Sequence, residues 1–175
     1  MFNEMVDGPK WAILRPEFTC LPDYEVDDDV VSGHVAPNVL VTFGGTDPAG
    51  LTDRVFTTIA ISAGDVRCVR PEMNVHMAQE MQAADLVITG QGRTVFEAAA
   101  CGVPCLSIAA NEREARHVRI PGVIYLGLHT LVSDQQLRET VQNILQDQAL
   151  REDMSRTARA QIDGNASTYT INGLA

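Results

Sequence analysis

Aromatic and basic residues are scarce in this chain of 175 residues. Aromatic residues make up 5% of it, and 13 Lys and Arg face 23 Asp and Glu, which gives a formal net charge of −10 at pH 7. Nucleic acids and anionic lipid surfaces are bound by basic faces. We therefore expect no nucleic-acid partner, and an anionic ligand would have to be held by a local group of donors.

Long apolar runs and cysteine clusters are also missing. No run approaches the roughly 20 residues of a membrane helix, and the first residues, "MFNEMVDGPK", do not form a basic and then apolar leader. We expect no membrane span and a cytoplasmic location. The cysteines, Cys20, Cys68, Cys101 and Cys105, are too few for a disulfide framework and lack a second pair for zinc, so we expect buried thiols, no metal and no cofactor.

What the chain does contain is an alternation of apolar strand patterns and amphipathic helix patterns. This alternation predicts an α/β fold with an open, doubly wound parallel sheet and right-handed crossovers. We expect one domain over 39–163, preceded by a lead-in or interdomain connector (1–38) and followed by a tail (164–175). Strands are predicted at 39–43, 65–70, 86–89, 105–109 and 122–127, and helices at 51–61, 77–84, 93–100, 134–145 and 149–162.

The first glycine turn lies in "VLVTFGGTDPAG", residues 39–50, where a buried strand stops at Gly44 and Gly45. Glycines let the backbone turn sharply and approach a ligand, and the first amides of the helix that follows have no partner within it. Such amides favour an anion. The alternative is a purely structural turn, in which Asp47 caps the helix.

The second glycine turn lies in "ITGQGRTVFEAAACGVP", where Gly90 and Gly92 precede a helix. Thr94 and Glu97 are three residues apart and so share one face of that helix. A carboxylate there can accept two hydrogen bonds from the vicinal diol of a ribose, while Arg93 and the helix N-terminus face a diphosphate. The alternative for Glu97 is a solvated surface residue.

A dinucleotide-binding fingerprint can be drawn through the same letters. Gly90 and Gly92 close a strand and open a helix, and Glu112 follows about twenty residues later. The third glycine position, however, carries Val95. A strand with its own glycine turn also precedes this unit, whereas the fingerprint usually opens its domain. This interpretation ranks third.

Four segments together resemble the C-terminal half of the UDP-sugar hydrolase family of bacterial nonulosonic (pseudaminic-type) acid biosynthesis. They are "GPKWAILRPEF", "VLVTFGGTDPAGLT", "MAQEMQAADLVITGQGRTVFEAAACGVPCLSIAANE" and "ARAQIDGNAS". The family has the glycosyltransferase-B fold and is related to the C-terminal domains of glycosyltransferase family 28. The resemblance implies a Rossmann-like domain, a UDP-sugar ligand and release of UDP.

The resemblance also implies roles for individual residues. The diphosphate would lie beside Gly44, Gly45 and Thr46 of the first turn and beside Gly92, Arg93 and Thr94 of the second turn. The ribose would be bound by the Glu97 carboxylate, and the uracil by the main chain at Met77. The sugar would lie near Asn111 and Glu112.

The chain departs from the family in three ways. The family usually has Gly-Gly-Ser-Thr at the second turn, whereas this chain has Gln91, Gly92, Arg93 and Thr94. One βα unit is missing before Asp65, which affects the base pocket. The N-terminal α/β domain, which in the family supplies the catalytic histidine, is also missing. The four histidines match no catalytic position of the family; they are His34, His76, His117 and His129.

Two hypotheses from different classes remain open at this point. In the first, the chain is the nucleotide-sugar-binding half of a UDP-sugar hydrolase or a related glycosyltransferase, inactive without an N-terminal domain in the same or another chain. In the second, it is a degenerate, non-catalytic module that binds a nucleotide-sugar or a protein. In either case the face left by the missing domain would be apolar, and a homodimer is one way to cover it.

Overall fold

A computed structural model describes residue 9 and residues 12–19, 21–26, 36–44, 47–60 and 76–162, together with the backbone of 65–68. The strands are β1 (Asn38–Thr42), β2 (Asp65–Cys68), β3 (Leu86–Gly90), β4 (Cys105–Ala109) and β5 (Ile124–Leu128). The helices are α1 (Leu51–Ile59), α2 (Met77–Gln82), α3 (Arg93–Cys101), α4 (Glu112–Ala115), α5 (Asp134–Gln146) and α6 (Gln148–Arg159), and a short 3-10 helix covers Pro16–Phe18.

The five strands form one parallel sheet in the order β2-β1-β3-β4-β5. The chain starts in β1, moves to the edge at β2, and then returns to the other side of β1 to continue with β3. The order therefore reverses between β1 and β3, where Thr42 is in register with Thr89. In open α/β sheets, ligands bind at such a switch point, outside the carboxyl ends of the strands.

The predicted doubly wound α/β sheet is confirmed. The strands are apolar because helices cover both faces, as their burial shows: all five residues of β4 are buried, as are four of five in β1 and in β3. One core lies between the sheet and α2 and α3, and includes Phe18 and Met81. The other lies on the opposite face, towards α1 and α5, and includes Ile59 and Leu137.

The element boundaries differ from the predictions by a few residues. Strand β5 begins at Ile124 rather than at Gly122, because Gly122 is in a turn with φ +86°. The short helix α4 was not predicted, because four residues are too few to show a helical period. Its N-cap is a local feature: Asn111 Oδ1 accepts a hydrogen bond from the Glu114 amide at 3.0 Å.

The part of the lead-in that the structure describes packs against the domain. Phe18 is 2% exposed and lies in the core cluster beside α3. The Tyr24 hydroxyl donates to the Ala84 carbonyl at 2.7 Å, just before β3. On α6, Arg159 donates to the carbonyls of Leu21 and Pro22 at 3.0 and 2.8 Å. We therefore propose that the folding unit includes residues 12–19 and 21–26 and so extends beyond the 39–163 boundary expected from the sequence.

Among the described residues, no helix has both the length and the apolar character needed to cross a bilayer. The connection from α1 to β2 consists of residues 60–64, of which 61–64 lie outside the described residues. Five residues cannot contain an additional strand and helix, as expected from the sequence.

Candidate functional site

The two glycine turns meet at the switch point. Gly44 follows the carboxyl end of β1, and Gly90 closes the neighbouring strand β3. A Cβ built on Gly90 would lie 3.7 Å from the ring of Phe43, so the two turns are in contact through that side chain. Gly45 and Thr46, which were assigned to the diphosphate, lie outside the described residues.

The first turn is closed by a carboxylate. Asp47 accepts hydrogen bonds from the amides of Leu51 and Thr52 at 2.9 and 2.8 Å, one on each carboxylate oxygen. These amides belong to the first turn of α1, the group that a bound anion would otherwise use. The capping role of Asp47, considered above as the structural alternative, is thus present at this turn. Gly44 has φ +77°, which a residue with a side chain rarely adopts.

The second turn is not closed in this way. Gly92 is the N-cap of α3, and no side chain among the described residues makes a capping hydrogen bond there. A Cβ at Gly92 would meet nothing within 4 Å. Arg93 is exposed and Thr94 is half-buried in the first helical turn. The amide of Val95 is bonded to the Gly92 carbonyl at 3.4 Å. The helix start therefore offers the amides of Arg93 and Thr94, a guanidinium and space, which together suit an anionic group.

A buried amide supports the second turn from below. Gln91, the departure from the family's glycine, is 3% exposed. Its Oε1 accepts from the Ser107 hydroxyl at 2.6 Å, and its Nε2 donates to the Val118 carbonyl at 3.1 Å. Its own carbonyl lies 2.7 Å from Nδ1 of His117. Because a carbonyl can only accept, Nδ1 of His117 carries the proton in this contact. Gln91 thus ties β3 to β4 and to the loop before β5.

Glu97 is not a solvated residue. It is 3% exposed on α3, and its Oε1 accepts a hydrogen bond from Arg15 Nε at 3.0 Å. This hydrogen bond is the main reason why the pKa of Arg15 is raised. Sequence reasoning missed Arg15 because the two residues are 82 positions apart. The structure therefore places Glu97 one turn from the N-terminal end of α3, already paired with Arg15.

The loop after β4 carries the residues assigned to the sugar. Glu112 is exposed, and Asn111 is exposed with its Oδ1 used as the cap of α4. The carboxylate at the strand ends is instead Glu114, which the sequence analysis did not single out. Its Oε2 accepts from the Ala110 amide at 2.9 Å and lies 3.4 Å from the position of a Cβ on Gly90. The Glu114 carboxylate therefore lies in contact range of the backbone at the end of β3.

Met77 is the position assigned to the uracil. It is the first residue of α2 and is half-buried, packed against the core cluster on the α2 and α3 face. The resemblance assigns the main chain at this helix start to the uracil, and that assignment stays a prediction. No group of three or more His, Cys, Asp and Glu able to hold a metal ion occurs in the part of the chain that the structure describes.

Cys101 and Cys105 are buried free thiols, as predicted. Burial raises the pKa of each to about 12. For Cys101 the negative charge of Glu97, four residues earlier on α3, is the second cause of the increase. Both thiols are therefore protonated and unreactive at neutral pH. Cys20 and the side chain of Cys68 lie outside the described residues.

Comparison with known proteins gives no matching family model. An uncharacterized protein from Methanocaldococcus jannaschii is 30% identical over 135 residues, which covers 60% of this chain and 27% of that protein. The spore coat polysaccharide biosynthesis protein SpsG from Bacillus subtilis is 27% identical over 194 residues, which covers 93% of this chain and 55% of SpsG. The chain thus spans about a quarter and about half of the lengths of these two relatives.

Solved structures show the fold directly. MurG from Acinetobacter baumannii matches with a TM-score of 0.62 and 16% identity, over 85% of this chain and 52% of MurG. CalG4, the calicheamicin glycosyltransferase, matches with a TM-score of 0.57 and 17% identity, over 89% of this chain and 45% of CalG4. The chain has the Rossmann-like fold of one domain of glycosyltransferase-B proteins. In each case it covers about half of the solved chain.

The alignments also contain more positions than this chain contributes. About 105 residues of this chain are aligned over 135 positions with the Methanocaldococcus jannaschii protein. About 163 residues are aligned over 194 positions with SpsG. About 30 positions in each relative therefore have no counterpart here. A βαβ unit has about 30 residues or more. This total supports the expectation that one βα unit is missing, in agreement with the five-residue connection before β2.

Proposed function

We propose that this chain is the nucleotide-sugar-binding half of a UDP-sugar hydrolase or a related glycosyltransferase of surface polysaccharide or nonulosonic acid biosynthesis. The observation that carries the proposal is the second turn. An uncapped start of α3, flanked by Arg93, lies at the β1/β3 switch point of a fold shared with half of several glycosyltransferases. Similarity to SpsG supports the link to polysaccharide synthesis.

The charge distribution supports an anionic ligand at this place. The chain as a whole carries −10, which repels phosphates, so binding depends on local donors. The amides at the start of α3 and the Arg93 guanidinium supply them, because a helix N-terminus carries a partial positive charge. Asp47 places a negative charge at the start of α1 instead. A diphosphate is therefore expected at α3, with the first turn as its neighbour and not as a second cradle.

The remaining parts of a nucleotide-sugar would extend to both sides of this turn. We assign the ribose to Glu97, the uracil to the main chain around Met77, and the sugar to the loop after β4. In that loop, Asn111 and Glu112 were expected to face the sugar, and the position of Glu114 adds a carboxylate nearer the strand ends. Gly44, Gly45 and Thr46 keep their proposed place beside the cleft.

The chemistry would be attack of water on the sugar–diphosphate linkage, with UDP as the leaving group. The role of this chain is to bind UDP and to stabilise the charge that develops on the departing diphosphate, through the α3 amides and Arg93. No general base is assigned among the described residues. We propose that an N-terminal α/β domain, in the same or another chain, completes the cleft and supplies it.

Calorimetric titration of the chain with UDP, CMP and NAD tests the binding proposal. We expect saturable binding of UDP in preference to CMP and NAD. Replacement of Arg93 by Gln should weaken UDP binding by about ten- to hundredfold, since a charge-assisted hydrogen bond contributes about 1.5–3 kcal/mol. Arg138→Gln, on the exposed face of α5, is the matched control and should leave binding unchanged. Binding of none of the three nucleotides would contradict the proposal.

Turnover requires a second experiment. The chain is mixed with the N-terminal domain of a homologous protein, and release of UDP from UDP-sugars is followed. The proposal expects turnover only when both halves are present. If the paired proteins bind UDP but cleave no UDP-sugar, the hydrolase assignment is wrong and the binding role remains.

A specific observation favours the second candidate, a non-catalytic module. Two groups that would face a nucleotide are already occupied: the α1 amides by Asp47, and Glu97 by Arg15. A module of this kind would bind a nucleotide weakly or would bind a protein. Preference for NAD in the titration would instead favour the third interpretation, a dinucleotide-binding domain.

The homodimer also stays a proposal. Leu131, in the turn directly after β5, is 80% exposed at the edge where another domain would dock. Sedimentation velocity of the wild type and of Leu131→Ser distinguishes a dimer formed through this surface from a monomer. A concentration-dependent dimer that the substitution dissociates is the expected result, and a monomer at all concentrations would contradict it.

A further inference from the structure

The ion pair between Arg15 and Glu97 joins two residues in very different environments. The Glu97 side chain is 4% exposed, and that of Arg15 is 49% exposed. Arg15 has other partners: it forms a second ion pair with Glu17 at 2.9 Å, and its guanidinium lies 4.9 Å from the centre of the Phe18 ring. Glu97 has no other charged partner among the described residues.

This asymmetry determines which partner can move. A buried carboxylate that loses its only ion-pair partner is strongly disfavoured, and Glu97 is fixed on α3 within the core. A half-exposed guanidinium that leaves one carboxylate can keep Glu17 and gain water, so its departure costs little. Another hydrogen-bond donor can therefore replace Arg15 at the Glu97 carboxylate, but the buried carboxylate always needs a donor.

The backbone around Arg15 does not have to move with the side chain. On its C-terminal side, Phe18 is buried in the core and the Tyr24 hydroxyl is bonded to the Ala84 carbonyl. On its N-terminal side, Ala12 and Leu14 pack against the same core cluster. A rotation of the Arg15 side chain towards solvent would separate Nε from Oε1 of Glu97 without moving this backbone.

We propose that Arg15 stands in for the ribose hydroxyls of a nucleotide: in the ligand-free chain its guanidinium pairs with Glu97, and a ligand with a vicinal diol displaces it. This inference rests on the proposed function, which assigns the ribose to Glu97. It adds a specificity-determining residue on the lead-in. A ligand without the diol gains nothing at Glu97 and leaves the pair in place.

The test compares UDP with 2′,3′-dideoxy-UDP by calorimetry on the wild type and on Arg15→Met. Methionine keeps an unbranched, apolar side chain that reaches about as far as the Nε position, but it removes the guanidinium and with it the stacking of Cζ on Phe18. Because the competing pair is lost, UDP should bind about two- to fivefold more tightly, the range expected for a partly exposed ion pair. The affinity for the dideoxy nucleotide should not change. Arg156→Met, which removes an arginine–carboxylate pair whose two members are both exposed on α6, should leave both affinities unchanged.

A second variant and a second readout protect the test against a folding defect. Arg15→Lys keeps the charge but loses the Nε donor, so it should give a smaller gain for UDP alone. In the wild type, the NMR signal of the Arg15 Nε–H group, assigned by its absence in Arg15→Lys, should shift on addition of UDP and stay unchanged with the dideoxy nucleotide.

Two results would overturn the inference while leaving the proposed function intact. Weaker UDP binding in Arg15→Met would mean that Arg15 holds Glu97 in position for the ligand. An equal change for both nucleotides would mean that Arg15 acts only through net charge. Failure of every variant to bind UDP is a different outcome, because it would overturn the proposed function, and the inference with it.

Discussion

The two glycine turns at the switch point look alike in sequence and differ in structure. Each follows a buried strand and opens a helix of nine residues. At the first turn, the Asp47 carboxylate accepts hydrogen bonds from two amides at the start of α1. At the second, Gly92 leaves the amides without a side-chain cap among the described residues, next to an exposed Arg93. We infer from this difference that a glycine turn before a helix is available to an external anion only where the protein does not supply a carboxylate of its own.

The support of the two turns differs as well. The first turn is held by the carboxylate that caps its helix. The second is held from below by Gln91, whose side chain and carbonyl contact Ser107, Val118 and His117. The first turn is thus stabilised by the same Asp47 carboxylate that occupies its helix amides. The second turn gains it from a buried network that leaves the amides available.

The largest expected effect comes from breaking that network. Gln91→Ala should lower the free energy of unfolding by about 2–3 kcal/mol, because it leaves a cavity and removes the hydrogen bond that the buried Ser107 hydroxyl donates at 2.6 Å. Urea denaturation measures the change. Gln135→Ala, at an exposed position of α5, is the control and should cost less than 0.5 kcal/mol. Equal losses in the two variants would contradict a supporting role for Gln91.

Removing the carboxylate at the first turn should have the next largest effect. Asp47→Ala should cost about 1–2 kcal/mol of stability, since two amides at the start of α1 lose their acceptor. The same variant should bind inorganic phosphate or UDP no more weakly than the wild type, because the carboxylate repels anions. Thermal denaturation and calorimetry measure the two effects. Weaker UDP binding would show that the first turn contributes to the ligand site as it stands.

A matched pair of glycine substitutions separates stability from binding. Gly44→Ala should destabilise the fold by about 1 kcal/mol, since φ is +77° at that position. Gly92→Ala should change stability by less than about 0.5 kcal/mol, because φ is −119° and a Cβ there meets nothing within 4 Å. The added methyl would nevertheless occupy the space before α3, so Gly92→Ala should weaken UDP binding. The reverse pattern would mean that the first turn is the binding turn.

The smallest expected effect is a change in thiol reactivity at the far end of α3. The pKa of Cys101 is raised to about 12, so at pH 8 only about one thiol in ten thousand is ionised and reactive. Alkylation in the folded chain should therefore be slow at pH 8 and should accelerate as the pH rises. Glu97→Gln removes a negative charge that raises this pKa, so the reaction should become faster at a given pH.

The controls for this measurement are a variant in which Cys20 and Cys68 are replaced by Ser and a comparison of Cys101 with Cys105. The pKa of Cys105 is raised by burial alone, and its alkylation rate should not respond to Glu97→Gln. If both thiols respond equally, the substitution has loosened the core instead of removing a charge.

Much of the fold was predictable from local sequence. The apolar run from Val39, the apolar segment from Leu86 and the run from Cys105 predicted β1, β3 and β4 to within one residue. Gly102 ends α3 with φ +75°, as its position after the helix suggested. These features depend on side chains a few residues apart. For the same reason the capping role of Asp47 could be considered from the sequence, although the sequence did not distinguish it from an anion site.

The candidate site was less predictable, and the reasons can be named. Glu97 was expected on the ligand-facing side of α3. Its partner Arg15 is 82 residues away in the chain, and a contact over that separation leaves no periodic pattern in the sequence. Glu114 was overlooked because only the fold brings its position on α4 next to Gly90 at the end of β3. Gln91 was noted only as a departure from a family motif, and its buried network joins three segments.

The sequence by itself determined the elements: which runs become strands, where glycines end them, and that the chain alternates between strand and helix. These follow from hydrophobic periodicity and from backbone freedom, which act over a few residues. Only the tertiary structure decided that β1 and β3 are neighbours, that one helix start is closed and the other open, and that Arg15 reaches Glu97. The physical reason is that strand order and buried ion pairs depend on packing between distant segments, which no local pattern encodes.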